Sequence, residues 1–172
     1  TKKGNEFIFA PMPADQGNWD VTKYGGFEEC QIPGPANSSL AGWFFPAKDR
    51  GQEWVVLWCP PTVGNISLLF DRARLLQKAD FSVFLFDYRG FGKSKGVPSE
   101  AGCYLDAQAA YKYLIDKKSV LPKKIVLLGQ SLGGCVALYL ASQYSNVRAV
   151  IIESTPLSVQ RLLQDNGLVV AL

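Results

Sequence analysis

Four apolar runs alternate with segments of helical periodicity, and this alternation restricts the chain to a small group of folds. The runs lack the polar alternation of a half-exposed strand, so they are typical of strands covered on both faces. Strands that alternate with helices favour a mostly parallel sheet between two helix layers, which is an α/β fold. The predicted strands are 54–59, 81–86, 124–128 and 147–152, with shorter candidates at 27–32 and 40–45, and the predicted helices are 66–78, 99–118 and 131–143.

Composition indicates a single folded domain without a nucleic-acid partner. The 172 residues suit one domain, and 48% hydrophobic residues make the chain too apolar for disorder. No linker, repeat or low-complexity segment divides it, so we predict an N-terminal extension over residues 1–26 and one α/β domain over residues 27–172. A formal net charge of +3 is too small to indicate binding to nucleic acid or to an anionic membrane surface.

The chain contains no histidine, and this absence limits its chemistry more than any other feature of its composition. These residues alone therefore cannot form a His-ligated metal site or a Ser–His or Cys–His catalytic pair. The cysteines lie among apolar neighbours without a C-x-x-C pair, so we predict packing thiols rather than disulfides or a zinc site. Reduced thiols indicate a cytoplasmic location, with a peripheral membrane location left open. The four cysteines are Cys30, Cys59, Cys103 and Cys135.

The segment Gly129-Gln130-Ser131-Leu132-Gly133-Gly134 joins a predicted buried strand to a predicted helix. It contains the pattern G-x-S-x-G in the strand–turn–helix context that makes such a serine a nucleophile. A tight turn exposes the Ser131 hydroxyl, and glycine on both sides avoids collisions between side chains. The same turn leaves the Leu132 N–H free at the helix N-terminus, where it can stabilise a developing oxyanion. The alternative is a glycine-rich turn in which Ser131 only caps the helix.

Three further segments, together with this motif, resemble α/β-hydrolases of the Bem46-like, serine-aminopeptidase-type group. Residues 87–102 resemble the group's D-Y-R-G-x-G-x-S…G-x-P-S-E-x-G loop, residues 63–67 its A-G-N-I-S stretch, and residues 151–155 its E-S-T segment. The resemblance covers essentially the whole chain. It implies the α/β-hydrolase fold, a nucleophilic Ser131, and cleavage of an ester, thioester or amide in a small acyl or peptide substrate through an acyl-enzyme. It implies no metal and no organic cofactor.

The resemblance also implies an oxyanion hole with two backbone donors. One donor is the N–H of Leu132, and the second, from the loop after the third strand, falls near Thr62. The group usually has His-Gly-Asn where this chain has Pro60-Pro61-Thr62. Proline at the middle position removes an N–H and fixes φ, so the loop departs from the group's pattern, whereas Thr62 keeps its own N–H.

In the resembled group, the catalytic acid follows the seventh strand and the histidine follows the eighth, whereas this sequence stops shortly after the sixth. A serine without a base is a poor nucleophile, and loss of the histidine from a related triad lowers turnover about 10⁶-fold. We therefore expect these residues to be inactive alone and to form the N-terminal part of a longer enzyme whose acid and histidine lie beyond Leu172. Two alternatives stay open: a non-catalytic binding or regulatory module on the same scaffold, and a second chain or swapped dimer that pairs with an exposed sheet edge.

Two carboxylates fall at the ends of predicted strands, where open α/β sheets place their sites. We interpret Asp87 as a loop-organising carboxylate that pairs with Arg89, and Glu153 as a residue that stabilises the turn after its strand. Neither is assigned to the candidate site, because the chain has no histidine that Glu153 could orient.

Overall fold

The computed structural model describes residues 8–35, 38–48 and 54–156. Its strands are β1 (Ala10–Pro11), β2 (Glu28–Pro33), β3 (Ser39–Phe45), β4 (Val55–Cys59), β5 (Val63–Gly64), β6 (Ser82–Phe86), β7 (Ile125–Gln130) and β8 (Ala149–Glu153). Its α-helices are α1 (Phe70–Lys78), α2 (Glu100–Asp116) and α3 (Leu132–Gln143), and short 3₁₀ helices cover Trp19–Tyr24, Ile66–Leu69 and Pro122–Lys124.

One sheet of six strands lies at the centre of the protein, in the order β2-β3-β6-β4-β7-β8. Strand β3 is antiparallel to both β2 and β6, and the pairs β6–β4, β4–β7 and β7–β8 are parallel. Every residue of β4 and β6 is buried, which confirms the prediction from their apolar runs. The mostly parallel sheet confirms the predicted α/β fold.

The central strands contribute side chains to a hydrophobic core on each face of the sheet. Along β4, Val55, Leu57 and Cys59 lie in the core that includes α2 and α3, whereas Val56 and Trp58 lie in the core that includes α1. This division follows from the two-residue period of a strand. Because both cores are apolar, neither set of positions in β4 has a polar residue.

Capping residues determine where two of the predicted helical segments begin. Helix α2 follows Ser99, whose Oγ accepts a hydrogen bond from the Gly102 N–H at 3.1 Å. The predicted helix 66–78 instead starts as a 3₁₀ turn, because the Asn65 side chain accepts a hydrogen bond from the Ser67 N–H at 3.1 Å. Regular α-helical geometry then starts at Phe70.

The register of the parallel strands brings three chain segments together at one edge of the sheet. Cys59 at the end of β4 pairs with Gly129 of β7, and Gln130 pairs with Glu153 at the end of β8. The loop that begins at Pro60, the turn at Ser131 and the segment after β8 therefore lie side by side.

Residues 8–24 pack against this same part of the molecule. Strand β1 pairs in parallel with β5, Val21 is buried, and the Trp19 ring meets the Trp43 ring edge-on at 5.6 Å between centroids. The predicted division at residue 26 stays a prediction, and residues 1–7 and 157–172 of the two predicted segments lie outside the described residues. Among the helices of the described ranges, none is both long and apolar enough to cross a bilayer.

Candidate active site

Ser131 occupies a strained turn between β7 and α3. Its backbone has φ 53° and ψ −129°, in the positive-φ region that a residue with a Cβ rarely enters. Two backbone hydrogen bonds hold this conformation: the Ser131 N–H donates to the Glu153 carbonyl, and the Gly134 N–H donates to the Ser131 carbonyl, both at 2.9 Å. Strain of this kind costs about 1–3 kcal/mol and persists where surrounding contacts fix it.

Three glycines allow the chain to approach itself closely around Ser131. A Cβ on Gly129 would overlap the backbone of Gly134, and one on Gly133 would overlap the carbonyl oxygens of Cys59 and Pro60. A Cβ on Gly134 would instead overlap the side chain of Thr155. We call residues 129–134 the Ser131 turn. Its glycines are required by packing, as the sequence predicts for the positions that flank the serine.

Leu132 is the first residue of α3, so its backbone N–H has no acceptor within the helix. The helix dipole adds partial positive charge at this end. Because Gly133 lies against the carbonyls of Cys59 and Pro60, this helix end touches the start of the loop that contains Thr62. The structure therefore places the start of the loop that contains Thr62 against the turn at Ser131, and the oxyanion roles of Leu132 and Thr62 stay predictions.

Thr62 is buried, and contacts with the N-terminal segment fix its position. Its Oγ1 donates a hydrogen bond to the Ile8 carbonyl at 2.7 Å, and its own carbonyl accepts one from the Ala10 N–H at 2.9 Å. Within the described ranges, the Thr62 N–H makes no backbone hydrogen bond. No local sequence pattern predicts these two hydrogen bonds, which we call the clamp on Thr62, because their partners lie more than fifty positions earlier.

The rest of this loop is tied to the same N-terminal segment. The Gly64 carbonyl accepts a hydrogen bond from the Met12 N–H at 3.0 Å. Asn65 donates through Nδ2 to the carbonyls of Met12 and Gln16, at 3.3 and 3.1 Å. We call residues 60–65 the proline loop, and its shape depends on residues 8–16.

A cavity of about 250 Å³ lies behind the proline loop. Two of its lining side chains carry buried oxygen atoms that have no hydrogen-bond partner among the described residues, Asp87 Oδ2 and Gln130 Oε1. Gln130 was not among the predicted site residues, although its place next to Ser131 at a strand end was a signal. The lining residues are Pro60, Pro61, Val63, Asn65, Leu68, Leu69, Asp87, Tyr88, Phe91 and Gln130.

Asp87 organises this loop, as predicted, but it does not pair with Arg89. Asp87 Oδ1 accepts a hydrogen bond from the Ile66 N–H at 2.9 Å. Burial raises the pKa of the Asp87 carboxyl to about 7, although the Ile66 and Lys93 N–H groups and the Lys93 charge favour the ionised form. The predicted Asp87–Arg89 pair is wrong because Arg89 binds Asp106, with 2.7 Å between Nη2 and Oδ1.

Arg89 pairs with Asp106, and the Asp106 side chain is completely buried in α2. A buried carboxylate needs a cation and hydrogen bonds, and Arg89 provides both its Nε and its backbone N–H in addition to Nη2. Asp106 follows Cys103 by three residues and precedes Ala110 by four, so it falls on the apolar stripe of the helix. This spacing was a usable signal for a buried carboxylate.

Glu153 supports the Ser131 turn through its backbone and lies in a surface ion pair through its side chain. Its carboxylate accepts a hydrogen bond from Arg72 at 2.7 Å, and both side chains are nearly half exposed. The carbonyl of the same residue accepts the Ser131 N–H. The expected stabilisation of the turn therefore comes from the main chain.

The four cysteines are free thiols, and three of them are buried. Burial raises the pKa of the Cys59 thiol strongly, and burial with the nearby Asp106 raises the pKa of Cys103 to about 12. These thiols are therefore protonated near neutral pH and are poor nucleophiles. In the ranges that the structure describes, no three His, Cys, Asp or Glu side chains cluster so as to hold a metal ion.

Comparisons with known proteins agree with this architecture. A family model described as alpha/beta hydrolase fold matches residues 56–171. The uncharacterized protein YfhR of Escherichia coli O157:H7 is 36% identical over 133 residues, which cover 74% of this chain and 47% of YfhR. Protein bem46 of Schizosaccharomyces pombe is 38% identical over 110 residues, covering 63% of this chain and 37% of bem46.

A solved structure, the esterase Pf2001 of Pyrococcus furiosus, aligns with a TM-score of 0.70 at 25% sequence identity, over 87% of this chain and 57% of that one. The chain spans about half or less of the length of these curated relatives. The family match covers most of the sequence, and the six-stranded sheet with its helices agrees with it. This chain therefore belongs to the α/β-hydrolase family and is Bem46-like.

Proposed function

We propose that this chain provides the nucleophile and the oxyanion-binding part of a serine hydrolase that cleaves an ester, thioester or amide through an acyl-enzyme on Ser131. The observation that carries the proposal is the backbone of Ser131, at φ 53°, held by the Glu153 carbonyl and by close glycine packing. A helix cap needs no such strain, because capping serines adopt the ordinary β region. The strain has a use if it presents the hydroxyl to a substrate.

In the proposed reaction, Ser131 Oγ attacks the substrate carbonyl carbon and its proton passes to a base. The carbonyl oxygen becomes an oxyanion that accepts hydrogen bonds from the N–H groups of Leu132 and Thr62. Collapse of this intermediate expels the alcohol, thiol or amine, which takes up the proton, and leaves the acyl group on Ser131. Attack by water on the acyl-enzyme then releases the acid. No metal or organic cofactor is required by these steps.

The base is the component that these 172 residues lack, since they contain no histidine. We propose that the acid and the histidine come from polypeptide outside these residues. Without a base, the oxyanion hole and substrate binding retain only about 10³–10⁴-fold acceleration over water. The expected activity of these residues alone is therefore very low.

A second candidate is a non-catalytic module that binds a ligand at the same edge of the sheet. The observation that favours it is the proline loop, because Pro60 and Pro61 offer no backbone N–H to an oxyanion. On this candidate, the Thr62 N–H and the cavity lined by the proline loop would serve ligand binding alone.

Labelling of the full-length polypeptide with a fluorophosphonate separates the two candidates. The serine oxygen displaces fluoride from phosphorus, so intact mass reports one probe minus HF for each activated serine. We expect a single adduct on the wild type and on Ser142→Ala, an exposed serine of α3, and none on Ser131→Ala. Failure of folded full-length protein to react, or an adduct that persists in Ser131→Ala, contradicts the proposal and favours the binding module.

A further inference from the structure

A cluster of cations lies at the end of the sheet opposite the Ser131 turn. The parallel strands β4, β7 and β8 begin at this end and finish beside the turn. Two acids, Glu28 and Asp116, lie among the cations. Since the formal net charge of the whole sequence is +3, the rest of the chain carries equal numbers of basic and acidic residues. We call this cluster the basic face, and its cations are Lys117, Lys118, Lys123, Lys124 and Arg148.

Three contacts show that the basic face is continuous. Lys118 and Lys124 line the same cavity. Lys124 directly precedes β7, and the Arg148 N–H donates a hydrogen bond to the Ile125 carbonyl at 2.8 Å. The Arg148 guanidinium lies over the Trp54 ring at 4.7 Å, directly before β4 begins. The cations therefore lie side by side along the starts of neighbouring strands.

Most of these charges are not neutralised by the protein. Lys118 forms an ion pair with Glu28. Within the described ranges, the other four cations form no ion pair. The end of α2 explains a cation at Lys117, since positive charge is favourable at a helix C-terminus. It does not explain the three cations that lie outside this helix.

Apolar groups lie between the cations of the basic face. Leu121 is 52% exposed and lies in the segment that connects Lys118 to Lys123. It also lines the cavity shared by Lys118 and Lys124, whose volume of about 350 Å³ is within the range of small-ligand sites. The other lining residues are Glu28, Phe44, Pro46, Val55, Ser119 and Val120.

We propose that the basic face docks on the surface of a bilayer that contains anionic phospholipids. Each cation near such a surface strengthens binding about fivefold. Leu121 enters the boundary between headgroups and acyl chains while the neighbouring lysines bind phosphates. The cavity accepts one headgroup, because its lining offers Lys124 to a phosphate and apolar side chains to the adjoining methylene groups.

Two observations favour a bilayer over a nucleic acid. Phosphate contacts to a nucleic acid need cations but no exposed leucine, whereas a membrane surface takes up an apolar side chain among lysines. Trp54 is half-buried and Arg148 covers its ring, so it is poorly placed to stack on a base. The small net charge of the whole chain did not predict membrane binding, and the proposal rests on where the charge is concentrated.

Docking in this way turns the Ser131 turn away from the bilayer, because the parallel strands run from the basic face to the turn. The candidate active site then faces water. The inference does not depend on whether Ser131 is catalytic.

The test is co-sedimentation of the full-length polypeptide with phosphatidylcholine vesicles that contain either about one-third phosphatidylserine or none. At about 0.1 M salt, we expect about tenfold or more tighter binding to the anionic vesicles, and this preference should shrink at about 0.5 M salt because the Debye length is shorter. Equal binding to the two kinds of vesicle overturns the proposal.

Two double variants with the same change in charge locate the surface. Lys123→Gln with Lys124→Gln should weaken binding to anionic vesicles about 20-fold. Lys93→Gln with Lys95→Gln, at two exposed lysines of the loop after β6, should weaken it less than about threefold. Lys123→Arg with Lys124→Arg should bind as the wild type does, and circular dichroism checks that each variant is folded. Equal losses in the two glutamine variants overturn the proposal.

Leu121→Gln distinguishes a bilayer from a nucleic acid. We expect about fivefold weaker binding to anionic vesicles, since one partly buried leucine is lost. Undiminished binding by Leu121→Gln overturns the proposal. Binding of the wild type to an RNA duplex at a lower phosphate concentration than to anionic vesicles also overturns it and identifies a nucleic-acid surface.

Discussion

The Ser131 turn and the proline loop form the two sides of the proposed oxyanion hole, and different parts of the chain hold them. In the turn, Ser131 is held by strand neighbours of the same sheet and by glycines within five positions of one another. In the loop, Thr62 is held by Ile8, a residue 54 positions earlier. The Ser131 turn is therefore held by contacts within and next to the sheet. The proline loop depends on docking of a short N-terminal strand.

This difference suggests that the two sides fail in different ways. Damage to the Ser131 turn strains the contact between α3 and the ends of β4 and β7, so it should lower global stability. Damage to the proline loop should leave the sheet intact and mainly displace one oxyanion donor.

The largest effect is expected for Gly133→Ala. A Cβ at this position would overlap two backbone carbonyls, of Cys59 and Pro60, and neither can rotate away. We expect a loss of about 3 kcal/mol or more in the free energy of unfolding, despite the helix propensity of alanine. Urea unfolding followed by circular dichroism measures it.

Gly134→Ala is the matched control for that substitution. Its Cβ would meet the side chain of Thr155, which can change rotamer. We expect a smaller loss than for Gly133→Ala, about 2 kcal/mol, because rotation of Thr155 moves Oγ1 and Cγ2 away, whereas its Cβ stays 2.7 Å from the added methyl and requires a shift of the chain there. Equal losses in the two variants would contradict the view that backbone contacts fix the Ser131 turn.

The pH dependence of stability tests whether the buried Asp87 carboxyl, which lies next to the proline loop, is protonated in the folded protein. Its pKa is raised from 3.8 to about 7 in the folded protein, so between these values the folded state binds more protons than the unfolded state. The contribution of Asp87 to stability is therefore present at low pH and is lost as pH rises through this window, at up to about 1.4 kcal/mol per pH unit.

The measurement compares urea unfolding at pH 5 and pH 7. Relative to Asp87→Asn, we expect the wild type to lose about 1–2 kcal/mol over this interval. Asp116→Asn, an exposed carboxylate at the end of α2, is the control and should follow the wild type. A difference between wild type and Asp87→Asn that does not change with pH would show that Asp87 is ionised throughout.

Thr62→Val addresses the donor in the proline loop directly. The substitution keeps the backbone N–H and the side-chain shape but removes the hydrogen bond to the Ile8 carbonyl. Loss of that clamp should slow fluorophosphonate labelling of Ser131 about tenfold, less than the 10²–10³-fold typical of a deleted oxyanion donor. The free energy of unfolding should fall by about 1–2 kcal/mol.

Thr62→Ser separates positioning from simple destabilisation, because it retains the hydroxyl. We expect it to restore the labelling rate to within about twofold of the wild type, since the hydrogen bond to Ile8 can form again. If Thr62→Val and Thr62→Ser label equally fast, the hydroxyl clamp has no part in placing the donor.

The same contrast explains what the sequence could predict. The strands β4, β6 and β7 followed from unbroken apolar runs, and the Ser131 turn followed from its glycine spacing, because both patterns are local. The hydrogen bonds that hold Thr62 and the cavity lined by the proline loop depend on contacts between distant segments, which periodicity does not encode. The pairing of Arg89 was misjudged because Asp87 is close in sequence, whereas the guanidinium and backbone N–H of Arg89 both bind Asp106, 17 positions further along the chain.

The smallest effect is expected for Arg72→Met, which removes the ion pair with Glu153 beside the Ser131 turn. Both side chains are nearly half exposed, so solvent screens the pair, and the loss should stay below about 1 kcal/mol. The guanidinium also lies over the Trp58 ring at 5.1 Å, and the methionine side chain can keep part of that contact. Since the Glu153 carbonyl, rather than its carboxylate, accepts the Ser131 N–H, labelling of Ser131 should change by less than about twofold. Arg74→Met, in the same helix, is the control. If Arg72→Met lowers the labelling rate more than twofold and Arg74→Met does not, the surface ion pair helps to position the Ser131 turn. The Ser131 turn would then also depend on contacts between distant parts of the chain, as the proline loop does.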